Sequence, residues 1–581
     1  MELQWQMIDH VPDDAVQRLA KEMNVAPLMA RILLNRGIED SRAAAAFLSP
    51  DFSLLHDPFL MTDMDRAVSR VARAIANKEP MLIYGDYDVD GITGTAMLTL
   101  ALKALGHVVP FFVPDRIRDG YGLSRFGIQR AKDLGVTFIL AVDCGITAIE
   151  EIAMARELGI DVVACDHHQP EATLPNAYAL LNPKRSDCPY PFKELSGVGV
   201  AFKLVQGLYQ HLGRDAAEVQ RFLELVAIGS AADIVPLVGE NRILVRFGLE
   251  QLSQTENLGL RALINVCGLS RSGSSGISSS QVVFTLAPRI NAVGRMGDAA
   301  RAVRLLMSED EAEAAEIANI LEAENRQRRS IDEETFHSAI SFIENSCDVE
   351  NDPAFVLHSE SWHPGVSGIV ASRLVEKYYR PTVMIAGGAG QPVANDMQKS
   401  SNGIAKGSAR SIPGFDIHQA LARCQDLMMS FGGHKYAAGL TIRTDRIDTF
   451  RQRLQQVAAE MMTPDLREPK LRIEGEVRFG EIDRPLMQFL HMLAPFGPHN
   501  MRPVFVSRRV RVVGTPRVVG NNHLRFKASQ DNRVIDAIGF NLGHLLHRLA
   551  PAENNIELAY LVEENDWQGQ INTQLRIKDI R

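Results

Sequence analysis

Six of the 581 residues are cysteine and three are tryptophan. The cysteines, at 144, 165, 188, 267, 347 and 424, include no Cys-x-x-Cys pair. This scatter argues against a zinc site or a disulfide framework and fits reduced thiols in the cytoplasm. No run of about 18 uncharged apolar residues occurs, which argues against a membrane span. The first residues, MELQWQMIDHVPDD, lack a basic segment followed by an apolar stretch, so no signal peptide is expected. Positive charge is also short: 62 Lys and Arg stand against 71 Asp and Glu, a net −9. Alone, that counts mildly against a nucleic-acid partner. Bound cations would offset part of it, however, and Arg508, Arg509 and Arg511 form a basic cluster.

What remains is ordinary for a soluble globular chain, with 46% hydrophobic and 23% charged residues. The length exceeds one hydrophobic core and predicts three or four domains. Residues 1–78 read as a helical region, with apolar positions at helical spacing in DAVQRLAKEM and DRAVSRVARAIAN. Residues 79–305 alternate short apolar runs (MLIY, VVPFFVP, TFILAVD, DVVACD, AYALLN) with helical stretches. That alternation predicts βαβ units and a parallel sheet. Residues 306–348 hold a charged segment, free of Gly and Pro from 308 to about 345, expected to be a long connecting helix. A smaller α/β domain is expected at 349–462, with strands at AFVLHS and TVMIAG. Residues 463–581 carry β-rich runs and a helix near PLMQFLHML, the pattern of a small β-barrel. The fold class is α/β and multidomain.

In an open parallel sheet, ligands gather at the carboxyl ends of the strands. Here the first strand runs into GDYDVDG (Asp86, Asp88, Asp90), the third into VDCG (Asp143) and the fourth into Asp166-His167-His168. GSAADIVPL sets Asp233 after an apolar helix. Carboxylates packed this way repel one another unless divalent cations offset their charge. Oxygen donors with imidazole and no thiolate pair suit Mn²⁺ or Mg²⁺. Two such ions about 4 Å apart can activate a water and stabilise a leaving oxygen in phosphoryl displacement. Asp-x-Asp-x-Asp-Gly also resembles a calcium loop. The Glu that such a loop wants at its twelfth position is here Met97, inside a helical stretch.

The ordered set GDYDVDG, VDCG, DHH and GSAADIVPL resembles the four motifs of the DHH phosphoesterase superfamily, and FGGHKYAAG resembles its DHHA1 domain. More narrowly, DGYGLS, LSGVGVAFKL, PRINAVGRM, WHPGVSGIVASRL and GSARSI are similar to the RecJ family of single-strand-specific 5′ exonucleases. The resemblance spans most of residues 15–445; an OB-fold is expected beyond about 465. It implies two metal ions, Mn²⁺ or Mg²⁺, held by Asp86, Asp88, Asp90, Asp143, His167 and Asp233. Asp143 would bridge them, and His168 would meet the scissile phosphate, making Asp143 and His168 the catalytic pair. Cys144 stands where many members have Asn, and a thiol is a weak donor.

FGGH alone reads more readily as a glycine turn beside a partly buried histidine than as a phosphate site, in which Gly432 and Gly433 would let a phosphate approach with His434 as donor. Ser408 and Arg410 in GSARSI pair a hydroxyl with a guanidinium, a phosphate-holding combination. The resemblance implies substrate contacts at Arg116, His168, Arg289, Asn291, Ser408, Arg410, Gly433 and His434. Arg295 and His363 each read as either a contact or a structural residue. Phe479, Phe505 and Phe526 could stack on bases but are expected in the barrel core. The activity implied is a metal-dependent 5′–3′ exodeoxyribonuclease that degrades single-stranded DNA to 5′-mononucleotides in repair and recombination. Single-stranded DNA is the implied partner, joined by a single-stranded-DNA-binding protein and a helicase, with no membrane partner. Two other readings are a phosphoesterase for short oligonucleotides, cyclic dinucleotides or pyrophosphate, and a catalytically inactive DNA-binding scaffold.

Overall fold

The computed structural model describes residues 3–8, 10–115, 120, 122–269, 276–296, 298–387, 403–549, 555–567 and 570–581. It divides into two units, Met7–Glu322 with Arg472–Arg581, and Met1–Gln6 with Ala323–Leu471.

The N-terminal region is helical after an extended stretch at Gln4–Met7: α1 (Asp13–Met23), α2 (Pro27–Leu34), α3 (Ser41–Leu48) and α4 (Met64–Ala76). A five-stranded sheet follows: β1 (Met81–Gly85), β2 (Phe111–Phe112), β3 (Phe138–Val142), β4 (Asp161–Cys165) and β5 (Ala179–Leu181). Their order is β2-β1-β3-β4-β5 and every pairing is parallel. MLIYG and FILAV are buried at every position, as strands covered on both faces must be. Alternate residues feed two cores. Ile83, Leu140 and Val163 enter one with α4, α5 (Val89–Ala104) and α8 (Gly197–His211). Leu82, Ile139 and Val162 enter the other with α6 (Arg125–Asp133) and α7 (Ile149–Glu157). Because β1 lies between β2 and β3, chain direction across the sheet reverses there. That switch point opens a crevice at the strands' carboxyl ends. Helices α9 (Leu223–Ala232), α10 (Gly239–Ser253), α11 (Leu258–Val266) and α12 (Ala287–Met296) extend the first core.

The Gly- and Pro-free segment forms α13, Glu311–Ser346. The unit beginning at Ala323 holds a five-stranded sheet of β6 (Phe355–Ser359), β7 (Thr382–Ala386), β8 (Ile404–Arg410), β9 (Ser430–His434) and β10 (Ala437–Arg443), ordered β9-β10-β8-β7-β6. Helix α14 (Pro364–Tyr378) makes the crossover between parallel β6 and β7.

The C-terminal strands are β11 (Gly475–Glu476), β12 (Phe505–Val519), β13 (His523–Gln530), β14 (Arg533–Gly539), β15 (Ile556–Trp567) and β16 (Gln570–Ile580). Pairing of β12 with both β13 and β15 closes them into a barrel, with α15 (Arg484–Leu493) between β11 and β12. Phe479, Phe505 and Phe526 are buried inside it. The N-terminal region does not act as one body. Val16, Leu19, Ile32, Leu33 and Leu48 of α1–α3 lie in the same core as Leu524, Tyr560 and Leu575 of the barrel, whereas α4 joins the catalytic core.

Segment 492–501 joins these parts. Buried Arg242 donates to the carbonyls of Phe47, Met492 and Leu493, at 2.7–2.8 Å. Arg36 donates to Asn500 Oδ1, and Leu237 N–H to Pro498 O.

Candidate active site

Four chain segments converge at the crevice. After β1, Asp88 caps α5, accepting from the N–H groups of Asp90 (3.0 Å) and Gly91 (3.2 Å). A Cβ on Gly91 would lie 2.5 Å from the Asp86 carbonyl oxygen, so only glycine lets the helix begin this close to the strand. Asp90, on the first turn, accepts from Gly197 N–H (2.6 Å) and Val198 N–H (2.9 Å) at the positive end of α8. Gly197 is needed because a Cβ there would sit 2.6 Å from Asp143 Oδ1. Asp143 closes β3 with a φ of 61°, a left-handed conformation that Asp tolerates. Asp233 is the C-cap of α9.

These groups form overlapping donor sets: Asp86, Asp88 and Asp143; Asp90, His167 and Asp233; and Asp143, His167 and His168. Within each set the donor atoms lie within 4.8 Å of one another. His167 Nε2 is 3.2 Å from Asp143 Oδ1, 3.5 Å from Asp233 Oδ2 and 3.8 Å from Asp90 Oδ2. Asp143 therefore belongs to the group on the Asp86 side and to the group around His167. All six residues expected as ligands come together.

The electrostatics follow from burial. Asp90 is pushed up to about 7, first by burial and then by the charge of Asp88, against the pull of the Val198 and Gly197 N–H groups. Burial and neighbouring carboxylates also raise Asp86, Asp143 and Asp233 well above the ordinary range. Both Asp86 oxygens are buried without a well-formed hydrogen bond. Such a cluster suits cations: a divalent ion replaces the protons that the carboxylates would otherwise retain. The donors, five carboxylates and an imidazole, fit Mn²⁺ or Mg²⁺.

Asp166 is the residue that motif reading leaves without a role. It accepts from the N–H groups of Ile146 (2.8 Å), His167 (2.7 Å) and His168 (3.1 Å), and contacts His168 Nδ1 at 2.8 Å. Burial would raise its carboxyl, but the hydrogen bond and charge of His168, followed by His167 and Ile146, hold it at about 2. In return, Asp166 raises His168 above its ordinary value although burial opposes this. The signal was the first letter of the DHH motif itself. The positions of Ser196 and Gly197, which place the α8 N-terminus, were carried by LSGVGVAFKL.

The other expected contacts are placed unevenly. Arg116 lies outside the described residues. Arg289 is buried, its Nε 2.6 Å from Glu322, so its guanidinium already serves an internal ion pair. Asn291 and Arg295 are half-buried on α12. In the other unit, strand register brings His434, Ala437 and Arg410 into one row, and Gly432, Gly439 and Ser408 into another. Gly433 has a φ of 138°, and His434 is exposed. His363 caps α14, accepting from Gly365 N–H at 3.0 Å, which gives it a structural role. Cys144 is buried, and burial raises its thiol.

The chain matches the DHH family, N-terminal domain, over residues 80–230, the DHHA1 domain over 351–460 and the RecJ OB domain over 473–579. It is 37% identical to "Single-stranded-DNA-specific exonuclease RecJ" of Bacillus subtilis, covering 99% of this chain and 70% of that protein. With the protein of the same name from Dickeya dadantii it shares 34% identity, over 95% of this chain and 96% of that one. A solved structure of RecJ from Thermus thermophilus in complex with Mn²⁺ superposes with a TM-score of 0.82 at 28% identity, covering 100% of this chain and 79% of that one. Fold, donor cluster and full-length similarity agree, and the chain belongs to the RecJ family of single-stranded-DNA-specific exonucleases.

Proposed function

We propose that this chain hydrolyses single-stranded DNA from its 5′ end, releasing 5′-mononucleotides, and that it serves DNA repair and recombination in the cytoplasm. The observation that carries the reading is the cluster of Asp86, Asp88, Asp90, Asp143, His167 and Asp233, four of them buried and Asp88 and Asp233 half-buried, at the sheet's switch point. In this reading Asp86, Asp88 and Asp143 would hold one ion and Asp90, His167 and Asp233 the other, with Asp143 in reach of both groups. When bound, the two Mn²⁺ or Mg²⁺ ions supply an activated water and offset charge on the phosphate and the leaving 3′-oxygen.

The chain's own groups set the rest. The N-terminus of α8 fixes the Asp90 carboxylate through two N–H donors. Asp166 fixes the His168 ring and raises its basicity, which favours His168 as an N–H donor to a phosphoryl oxygen. Ser408, Arg410, Gly433 and His434 hold DNA phosphate, as do Arg116, Arg289 and Asn291, for Arg289 only after exchange of its internal partner. On the barrel, Arg511, Arg517, Arg525 and Lys527 are exposed along β12 and β13, with exposed Val513 between them. That mixture of charge and apolar surface suits a single-strand track. A single-stranded-DNA-binding protein and a helicase would supply such strands. Among the described residues no helix is long and apolar enough to cross a membrane.

The test is digestion of single-stranded DNA, labelled at either end, with Mn²⁺. The expected product is labelled mononucleotide from the 5′ label at the earliest times. Preference for dinucleotides, or DNA binding without hydrolysis, would replace this reading with one of the two alternatives.

A further inference from the structure

Helices in the catalytic domain usually end on a glycine in the left-handed conformation. Gly106, Gly135, Gly159, Gly213 and Gly268 follow the C-caps of α5, α6, α7, α8 and α11, with φ between 66° and 81°. This is the usual solution, because glycine meets no Cβ clash there. Helix α9 ends differently. Its C-cap is Asp233, and the next residue is Ile234 at a φ of 61°. Ile234 is the only β-branched residue at positive φ among the described residues. Side chains branched at Cβ disfavour this conformation strongly, and such strain persists only where the surroundings impose it.

The conformation ends the helix, but the side chain itself gains little by burial, because Ile234 is 60% exposed. Its neighbours are the reverse. Val235 and Leu237 are buried, Ile234 N–H is bonded to Ala231 O at 3.3 Å, and Leu237 N–H to Pro498 O at 2.9 Å. The backbone is thus pinned on both sides while an apolar side chain is presented to solvent. The residue immediately before it places a carboxylate oxygen 3.5 Å from His167 Nε2. An apolar group beside a charged phosphate site has one suitable partner on a nucleic acid, the face of a base or its sugar.

We propose that Ile234 is a substrate-contacting residue that packs on the nucleoside at one side of the scissile phosphate and helps seat the strand. The contact reads no hydrogen-bond pattern, so it serves any base, as a single-strand exonuclease requires. This inference rests on the exonuclease reading of the adjacent cluster.

The experiment uses the full chain and 5′-phosphorylated oligonucleotides carrying an abasic residue at the first or the second position, beside an intact control. KM and kcat are measured with Mn²⁺, and equilibrium binding in EDTA. The native chain is expected to favour the intact strand over one of the two abasic strands by roughly fivefold in KM, the scale of one small apolar contact. Ile234→Gly should erase that preference by weakening intact DNA alone, with a melting temperature unchanged or raised; Ile234→Leu should retain it. A glycine variant that keeps the full preference in KM and in binding overturns the contact. Failure of the native chain to cleave any strand overturns the exonuclease reading instead, and binding in EDTA still decides the role of Ile234.

Discussion

Asp166 shows how much one buried carboxylate can organise without joining a donor set. Its oxygens take three backbone N–H groups and a histidine ring. Asp166→Asn keeps the shape but loses the charge that raises the basicity of His168. The expected result is a fall in kcat of about 10–100-fold with KM little changed, the usual scale for partners of a metal site. Asp143→Asn is a sharper test, because Asn also tolerates positive φ and the fold should persist. Its cleavage with Mn²⁺ should fall below about 1% of native. Its metal-free melting temperature at pH 8 should rise, since one buried like charge is gone. Near-native cleavage by that variant would dismantle the shared-ligand assignment.

At the scale of elements, α9 carries an ionisable group away from the site. Glu224 is pushed up to about 7, chiefly by burial, against a hydrogen bond from Thr255 and with Glu256 adding to the rise. Its Oε2 is buried without a partner. Unfolded, this group titrates near 4.5. Between about 4.5 and 7 the unfolded chain therefore releases its proton first, and stability from this group is lost as pH rises through that window. The full effect is on the order of 3 kcal/mol. Glu224→Gln should lessen the rise of urea midpoint expected of the native chain from pH 8 to pH 5, to which the raised carboxyls of the site also contribute. An unchanged pH slope in the variant would mean that Glu224 is already ionised in the folded chain.

Elements were legible where burial is simple. MLIY and TFILAVD announce themselves because a strand covered on both faces must be apolar throughout. The barrel's last strands, Ile556–Trp567 and Gln570–Ile580, mix Glu, Asp, Asn and Gln with apolar residues and escaped notice. So did Ile404–Arg410, Ser430–His434 and Ala437–Arg443, whose small and glycine-rich stretches carry little strand propensity. The acids of the site were legible because each stands at or beside the end of an element in a recognisable motif. The burial of Arg289 against Glu322 was not, since an ion pair across 33 positions leaves no local pattern.

At the scale of the molecule, Arg242 holds catalytic and C-terminal parts together without a carboxylate, and burial lowers it to about 9. Arg242→Ala would remove the charged donor from the carbonyls of Phe47, Met492 and Leu493, leaving Leu493 O to Asn500 Nδ2 and Met492 O to a longer contact with Arg246. A loss of about 3 kcal/mol or more in urea unfolding is expected. Loss of less than 1 kcal/mol would show that water replaces the guanidinium easily. Metal acts on the same scale: Mn²⁺ at about 100 times the Kd of each site should stabilise the chain by roughly 2.7 kcal/mol per bound ion over EDTA. A melting temperature indifferent to Mn²⁺ would contradict the donor cluster.

The core shared by α1–α3 and the C-terminal barrel has a consequence for birth rather than action. During synthesis, the apolar faces of Leu19, Ile32 and Leu33 leave the ribosome about 440 to 560 residues ahead of their partners around Val477 to Ile580. At ordinary elongation rates that is a wait of roughly 20–110 s. For that time the first fifty residues are a client for chaperones, and a nascent chain stalled before the barrel would present an apolar N-terminus to the cell's quality control.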